Sequence, residues 1–134
     1  MKFNIMFVYN SISEPESLQC LFNNEPYYVF AFDNPLDALN VVKTLDWAVV
    51  VADRSMHNMD GVEFLNKIRA HSPQAIGIIM SGYDETKEGA AALYPDKVYR
   101  YIQKPLDDIE IRHILRTAIA DYETITGLKN PAIV

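Results

Sequence analysis

Six apolar residues, Trp47 to Ala52, follow one another without interruption and stop at Asp53. A strand built from such a run has no polar face, so it must be covered on both sides. Parallel sheets packed between helices meet that condition, whereas antiparallel sheets commonly keep one face in water and show alternation instead. The run therefore points to an α/β architecture. It also puts a carboxylate at the carboxyl end of a buried strand.

The rest of the chain alternates in the way that architecture needs. Lys2–Tyr9 reads as a first strand, nearly all apolar after Asn4. Ser13-Glu-Pro-Glu16 has the form of a capping box with proline in the first turn, and predicts a helix to about Asn23. Tyr27–Phe32 is aromatic and β-branched, as strands favour. Asn34-Pro35 predicts a second helix start, with Leu36, Leu39, Val42 and Leu45 as its apolar stripe. Gly61 to about Ala70 reads as a third helix and Ala75–Met80 as another buried strand ending at Ser81-Gly82. Asp84–Leu93 predicts a fourth helix of weak propensity, and Val98–Ile102 a fifth strand before Gln103-Lys104-Pro105. A last helix starts at Asp107-Asp-Ile-Glu110 and runs to about Tyr122, with Ile111, Ile114, Leu115, Ala118 and Ile119 inward. Five strand–helix units imply a doubly wound, five-stranded parallel sheet with helices on both faces. Sites in such folds sit at the carboxyl ends of the strands. That rule selects Tyr9-Asn10, Asp53, Ser81-Gly82 and Lys104.

Composition narrows the function. The chain has 134 residues, 12 basic and 18 acidic, for a net charge of −6. That sign argues against direct contact with nucleic acid or an anionic membrane. No segment approaches the roughly 20 apolar residues of a membrane span, and no signal-peptide pattern opens the chain, so a cytoplasmic location is expected. Cys20 stands alone, which excludes a disulfide framework and a thiolate metal cluster.

At the strand ends the sequence resembles the receiver domains of bacterial response regulators. Asp53-Arg-Ser-Met-His-Asn-Met-Asp-Gly61 fits the family's phosphoacceptor loop, with His57 where proline is usual. Met80-Ser-Gly-Tyr83 fits the end of the fourth strand, and Tyr99-Arg-Tyr-Ile-Gln-Lys-Pro105 the end of the fifth. The resemblance implies a flavodoxin-like, receiver-type fold over residues 1–124, with 125–134 a tail or the start of a linker. It implies that Asp53 accepts a phosphoryl group, that Lys104 and Ser81 bind that group, and that Tyr101 is an aromatic switch. The implied partners are a histidine kinase or phosphotransfer protein and an output domain or effector. It also implies a possible homodimer through the fourth helix, fifth strand and last helix. The implied role is signal transduction in a phosphorelay, not enzymatic turnover.

One departure from the family bears on the chemistry. Receivers normally carry two adjacent acidic residues after the first strand, and Tyr9-Asn10 stand there instead. A Mg²⁺ site would then draw on Asp53, Asn10 and the Ser55 carbonyl. Each carboxylate lost about 4 Å from a cation removes on the order of 4 kcal/mol of gross attraction per unit of metal charge, before desolvation offsets it. Weak Mg²⁺ binding is expected, and Lys104 is expected to pair with Asp53 directly. Three functions are compatible with this reading: a receiver with weakened or lost Mg²⁺-dependent phosphorylation, a phosphorylation-independent pseudo-receiver serving as an interaction or dimerisation module, and an enzyme on the same architecture. The third finds no glycine-rich phosphate loop, no G-x-S-x-G elbow and no cysteine–histidine pair to support it.

Overall fold

The computed structural model describes residues 3–9, 27–56, 59–81, 100–103 and 107–128. Strands β1 (Phe3–Val8), β2 (Tyr27–Phe32), β3 (Trp47–Asp53), β6 (Ile76–Ser81) and β7 (Arg100–Gln103) form one sheet in the order β2-β1-β3-β6-β7. Every pairing in it is parallel. Two short strands, β4 (Ser55–Met56) and β5 (Met59–Asp60), make a separate antiparallel hairpin. The described helices are α1 (Pro35–Val41), α2 (Gly61–Arg69) and α3 (Asp108–Thr126).

The order reverses direction at β1/β3, because the chain first adds β2 to one side of β1 and then builds outward on the other. This is the doubly wound topology expected from the alternation, and a crevice at the carboxyl ends follows from it. The apolar run that opened the argument is buried along its whole length, from Trp47 to Ala52. Its odd-numbered valines, Val49 and Val51, face one core with Ile111, Ile114, Leu115, Ala118 and Ile119 of α3. Val50 and Ala52 face the other core, with Ala38 of α1 and Val62, Phe64, Leu65 and Ile68 of α2. Both faces are thus covered, as an unbroken apolar strand requires.

Helix starts fall where their side-chain caps were expected. Asn34 Oδ1 accepts the Leu36 N–H at 2.9 Å, and Asp107 Oδ1 accepts the Ile109 N–H at 3.3 Å. Helix ends differ more. The stripe proposed for the second helix is corrected: α1 stops at Val41 and tightens into a 3₁₀ turn over Val42–Thr44. Ala38 and Val42 are buried while Leu36 and Leu45 lie 46% and 39% exposed. The last helix runs one turn beyond Tyr122, to Thr126, and ends on Gly127. Gly127 has φ 74°, a left-handed conformation that glycine adopts without a Cβ clash, and its N–H bonds the Glu123 carbonyl at 2.9 Å. The expected first helix, Ser13–Asn23, and fourth helix, Asp84–Leu93, lie outside the described residues, as does Cys20.

Candidate functional site at the carboxyl edge of the sheet

β3 and β6 are neighbours, and each ends on a polar residue. Asp53 lies opposite Met80 in the ladder, one step before Ser81. The Arg54 N–H donates to the Met80 carbonyl at 2.8 Å, so the two strands stay joined just past Asp53. β7 follows, with Gln103 opposite Ser81. Apart from tyrosine and tryptophan, Asp53 and Ser81 are the two polar side chains buried among the described residues, at 2% and 0% exposure.

That burial has an energetic meaning. A carboxylate withdrawn from water is unfavourable unless it is hydrogen-bonded or paired. Asp53 Oδ1 accepts the Ser55 N–H at 3.2 Å, which holds the carboxyl group toward the loop that follows β3. The Ser81 hydroxyl finds no hydrogen-bond partner among the described residues. An unsatisfied buried hydroxyl costs about 1–3 kcal/mol. It leaves a donor at the strand end, able to bond an oxygen brought to that position.

The remaining expected site residues divide by position. Ser55 lies two residues after Asp53, exposed at the start of the hairpin. Tyr101, opposite Ile79 on β7, is half-buried and packs with Met56 and Met59 against the core under α1 and α2. Tyr9 comes immediately after β1. Its N–H donates to the Phe32 carbonyl at 3.0 Å and its ring packs against the α3-side core. Asn10, His57 and Lys104 lie outside the described residues, so the expected Asp53–Lys104 ion pair does too. Among the described residues, no three His, Cys, Asp or Glu side chains gather in a way that could hold a metal ion. Mg²⁺ takes oxygen ligands, largely carboxylates and waters, in near-octahedral geometry. The described donors therefore do not fit a carboxylate-lined Mg²⁺ site.

The loop after Asp53 carries structure of its own. Ser55 and Met56 pair with Asp60 and Met59 in the β4–β5 hairpin. Asp60 then caps α2, its Oδ1 accepting the Val62 N–H at 2.6 Å, while the Gly61 N–H donates to the Arg54 carbonyl at 2.8 Å. The sequence predicts a helix from Gly61; the Asp60 cap and the closure back onto Arg54 are additions of the structure. A cleft of about 410 Å³ opens beside the hairpin, lined by Arg54, Ser55, Met56, Met59 and Asp60.

Comparison with known proteins places this edge in a context. The family model for the response regulator receiver domain matches residues 10–116. The transcriptional regulatory protein ZraR of Klebsiella oxytoca is 32% identical over 117 residues, covering 87% of this chain and 26% of that protein. A CheY-like response regulator receiver domain protein from Methanospirillum hungatei superposes with a TM-score of 0.78 at 17% identity, over 92% of this chain and 98% of the other. A structure described as adenylate cyclase from Rhodopirellula baltica superposes with a TM-score of 0.79 at 22% identity, over 95% and 94% of the two chains. At those identities the superpositions speak for the fold alone. The chain spans about a quarter of the length of curated relatives such as ZraR and the hydrogenase transcriptional regulatory protein HoxA of Bradyrhizobium diazoefficiens.

Proposed function

Because the chain belongs to the response regulator receiver domain family, we propose that it is a phosphorelay receiver whose acceptor is Asp53 and whose use of Mg²⁺ is weakened. One observation carries this reading: two buried polar side chains, Asp53 and Ser81, stand at the ends of adjacent strands at the topological crevice. In the proposed reaction a carboxylate oxygen of Asp53 attacks the phosphorus of a phosphohistidine or small phosphodonor. The bond to the donor's leaving group breaks, and an acyl phosphate remains. Ser81 donates to a phosphoryl oxygen, and Lys104 offsets the added charge as a point cation. Tyr101, partly buried against the core on the α1 and α2 side, is the side chain proposed to respond.

The weakening rests on Tyr9 and Asn10. The first strand runs in unbroken register with β2 from Phe3 to Val8, which supports the alignment that places Tyr9-Asn10 where receivers carry acidic residues. Phosphoryl transfer onto a carboxylate brings like charges together, and a cation normally offsets them. With that offset reduced, transfer is slow. Whether the acceptor works at all is read by intact mass after incubation with acetyl phosphate. A phosphoryl adduct of about 80 Da that disappears in Asp53→Asn supports the acceptor role.

The same two residues favour a second reading, a pseudo-receiver that acts as an interaction or dimerisation module without phosphorylation. It predicts no adduct and an oligomeric state unchanged by beryllofluoride, as read by light scattering. Receiver domains generally work as signalling modules with kinases and output domains rather than as enzymes, and among the described residues no helix is long and apolar enough to cross a membrane. For this chain the proposed partners are a histidine kinase or phosphotransfer protein and an output domain. A homodimer through the last helix and β7 is a further proposal, and the negative charge argues against direct nucleic-acid contact by this domain.

A further inference from the structure

We propose that Gly61 is the positioning residue of the Asp53 site, holding the acceptor in place by backbone-to-backbone contact with the start of α2. The inference rests on the reading of Asp53 as acceptor. A Cβ built at Gly61 would lie 2.4 Å from the Asp53 carbonyl oxygen and 3.1 Å from the Arg54 Cα. No side chain larger than hydrogen fits there unless the backbone moves. The contact is drawn in by the Gly61 N–H bond to the Arg54 carbonyl at 2.8 Å, and steadied by the Asp60 cap on Val62. Arg54 and Gly61, on either side of the loop, are thereby held together. Next to that contact the Ser55 N–H holds the Asp53 carboxyl oxygen. Widening the closure at Gly61 must therefore rotate or displace the Asp53–Ser55 unit.

Gly77 supplies the contrast. A Cβ there would meet Leu65 side-chain carbons of α2, the nearest at 2.7 Å. That neighbour is a flexible side chain, not the acceptor's backbone. Gly77→Ala thus strains the packing of α2 on β6 while leaving the Asp53 loop closed. The two glycines seat the same helix, and one of them touches the site.

The test compares wild type, Gly61→Ala and Gly77→Ala with two readouts. One is the NMR shift of the Ser55 amide, referenced to its position in Asp53→Asn. The other is the rate of adduct formation with acetyl phosphate. Gly61→Ala should move the Ser55 amide well toward its Asp53→Asn position and slow the adduct about tenfold or more, since sub-ångström misplacement of reacting groups has effects of that order. Gly77→Ala should lower the melting temperature but leave both readouts at wild type. If Gly61→Ala does not fold, Asp60→Ala loosens the same closure without a clash and should move the amide in the same direction. An unmoved Ser55 amide in the folded Gly61 or Asp60 variant, or an equal shift in Gly77→Ala, overturns the proposal. If wild type forms no adduct, the acceptor reading fails while the amide still decides the role of Gly61.

Discussion

The two ends of β3 treat polar groups in opposite ways. At the amino end three polar side chains bond the backbone. The Trp47 indole N–H donates to the Val42 carbonyl at 3.1 Å, and the Asn4 amide donates to the Asp46 carbonyl at 3.1 Å. Thr44 donates its hydroxyl to the Val41 carbonyl at 2.6 Å. These bonds fix the loop that enters β3. At the carboxyl end Asp53 and Ser81 are buried, and the serine hydroxyl has no partner among the described residues. One end is built to hold the sheet together. The other carries polar groups that stability alone does not explain, and it lies where doubly wound sheets bind ligands.

Substitutions at the two ends should therefore separate stability from chemistry. The largest expected effect is at the amino end. Trp47→Ala removes a side chain 1% exposed that packs edge-on against Phe30 at 5.5 Å, and should cost about 3–5 kcal/mol in denaturant unfolding. Ser81→Ala should do the reverse of a normal core change. Removing a buried hydroxyl that has no partner among the described residues should leave stability unchanged or raise it by up to about 1 kcal/mol, while any phosphoryl adduct on Asp53 becomes slower to form or shorter-lived. A loss of about 2 kcal/mol or more in that variant would mean that the hydroxyl is structurally bonded and would erase the contrast. Asn4→Ala should cost about 1 kcal/mol, the typical net worth of one hydrogen bond, with no effect on the adduct.

The smallest effect is a pH response at the amino end. Burial, and then the negative charge of Asp46, push the Tyr122 phenol above its usual 10.0. A group whose folded pKa is raised adds stability that is fully present below its unfolded pKa and is lost as pH rises through the folded one. Alkaline unfolding should therefore steepen above about pH 10, and Tyr122→Phe should flatten that part of the profile. An identical profile in Tyr122→Phe would show that the phenol is not the responsible group.

Much of this was legible in the sequence for identifiable reasons. The unbroken Trp47–Ala52 run required cover on both faces, and the two cores meet that requirement. Asn34 and Asp107 were readable as caps because capping is a local interaction between a side chain and an amide two residues on. Asp53 and Ser81 were readable as strand-end residues because each follows an apolar run. The features that were not legible depend on distances between segments. The 3₁₀ tightening after Val41 depends on how the end of α1 meets Trp47, whose indole bonds the Val42 carbonyl. The Ser55–Asp60 hairpin and the contact of Gly61 with Asp53 depend on the loop closing on itself. A hydrophobic pattern carries no record of that closure.

The central claim is that Asp53 accepts a phosphoryl group with little help from Mg²⁺, and intact-mass kinetics with acetyl phosphate test it most directly. Wild type and Asp53→Asn would be followed with and without millimolar Mg²⁺. The account predicts a slow adduct in wild type, none in Asp53→Asn, and a rate that Mg²⁺ changes little. A fast adduct that requires Mg²⁺ would contradict the weakened metal site. An adduct that survives in Asp53→Asn, or none in wild type, would contradict the acceptor role, and the second of these would assign the chain to the interaction-module reading.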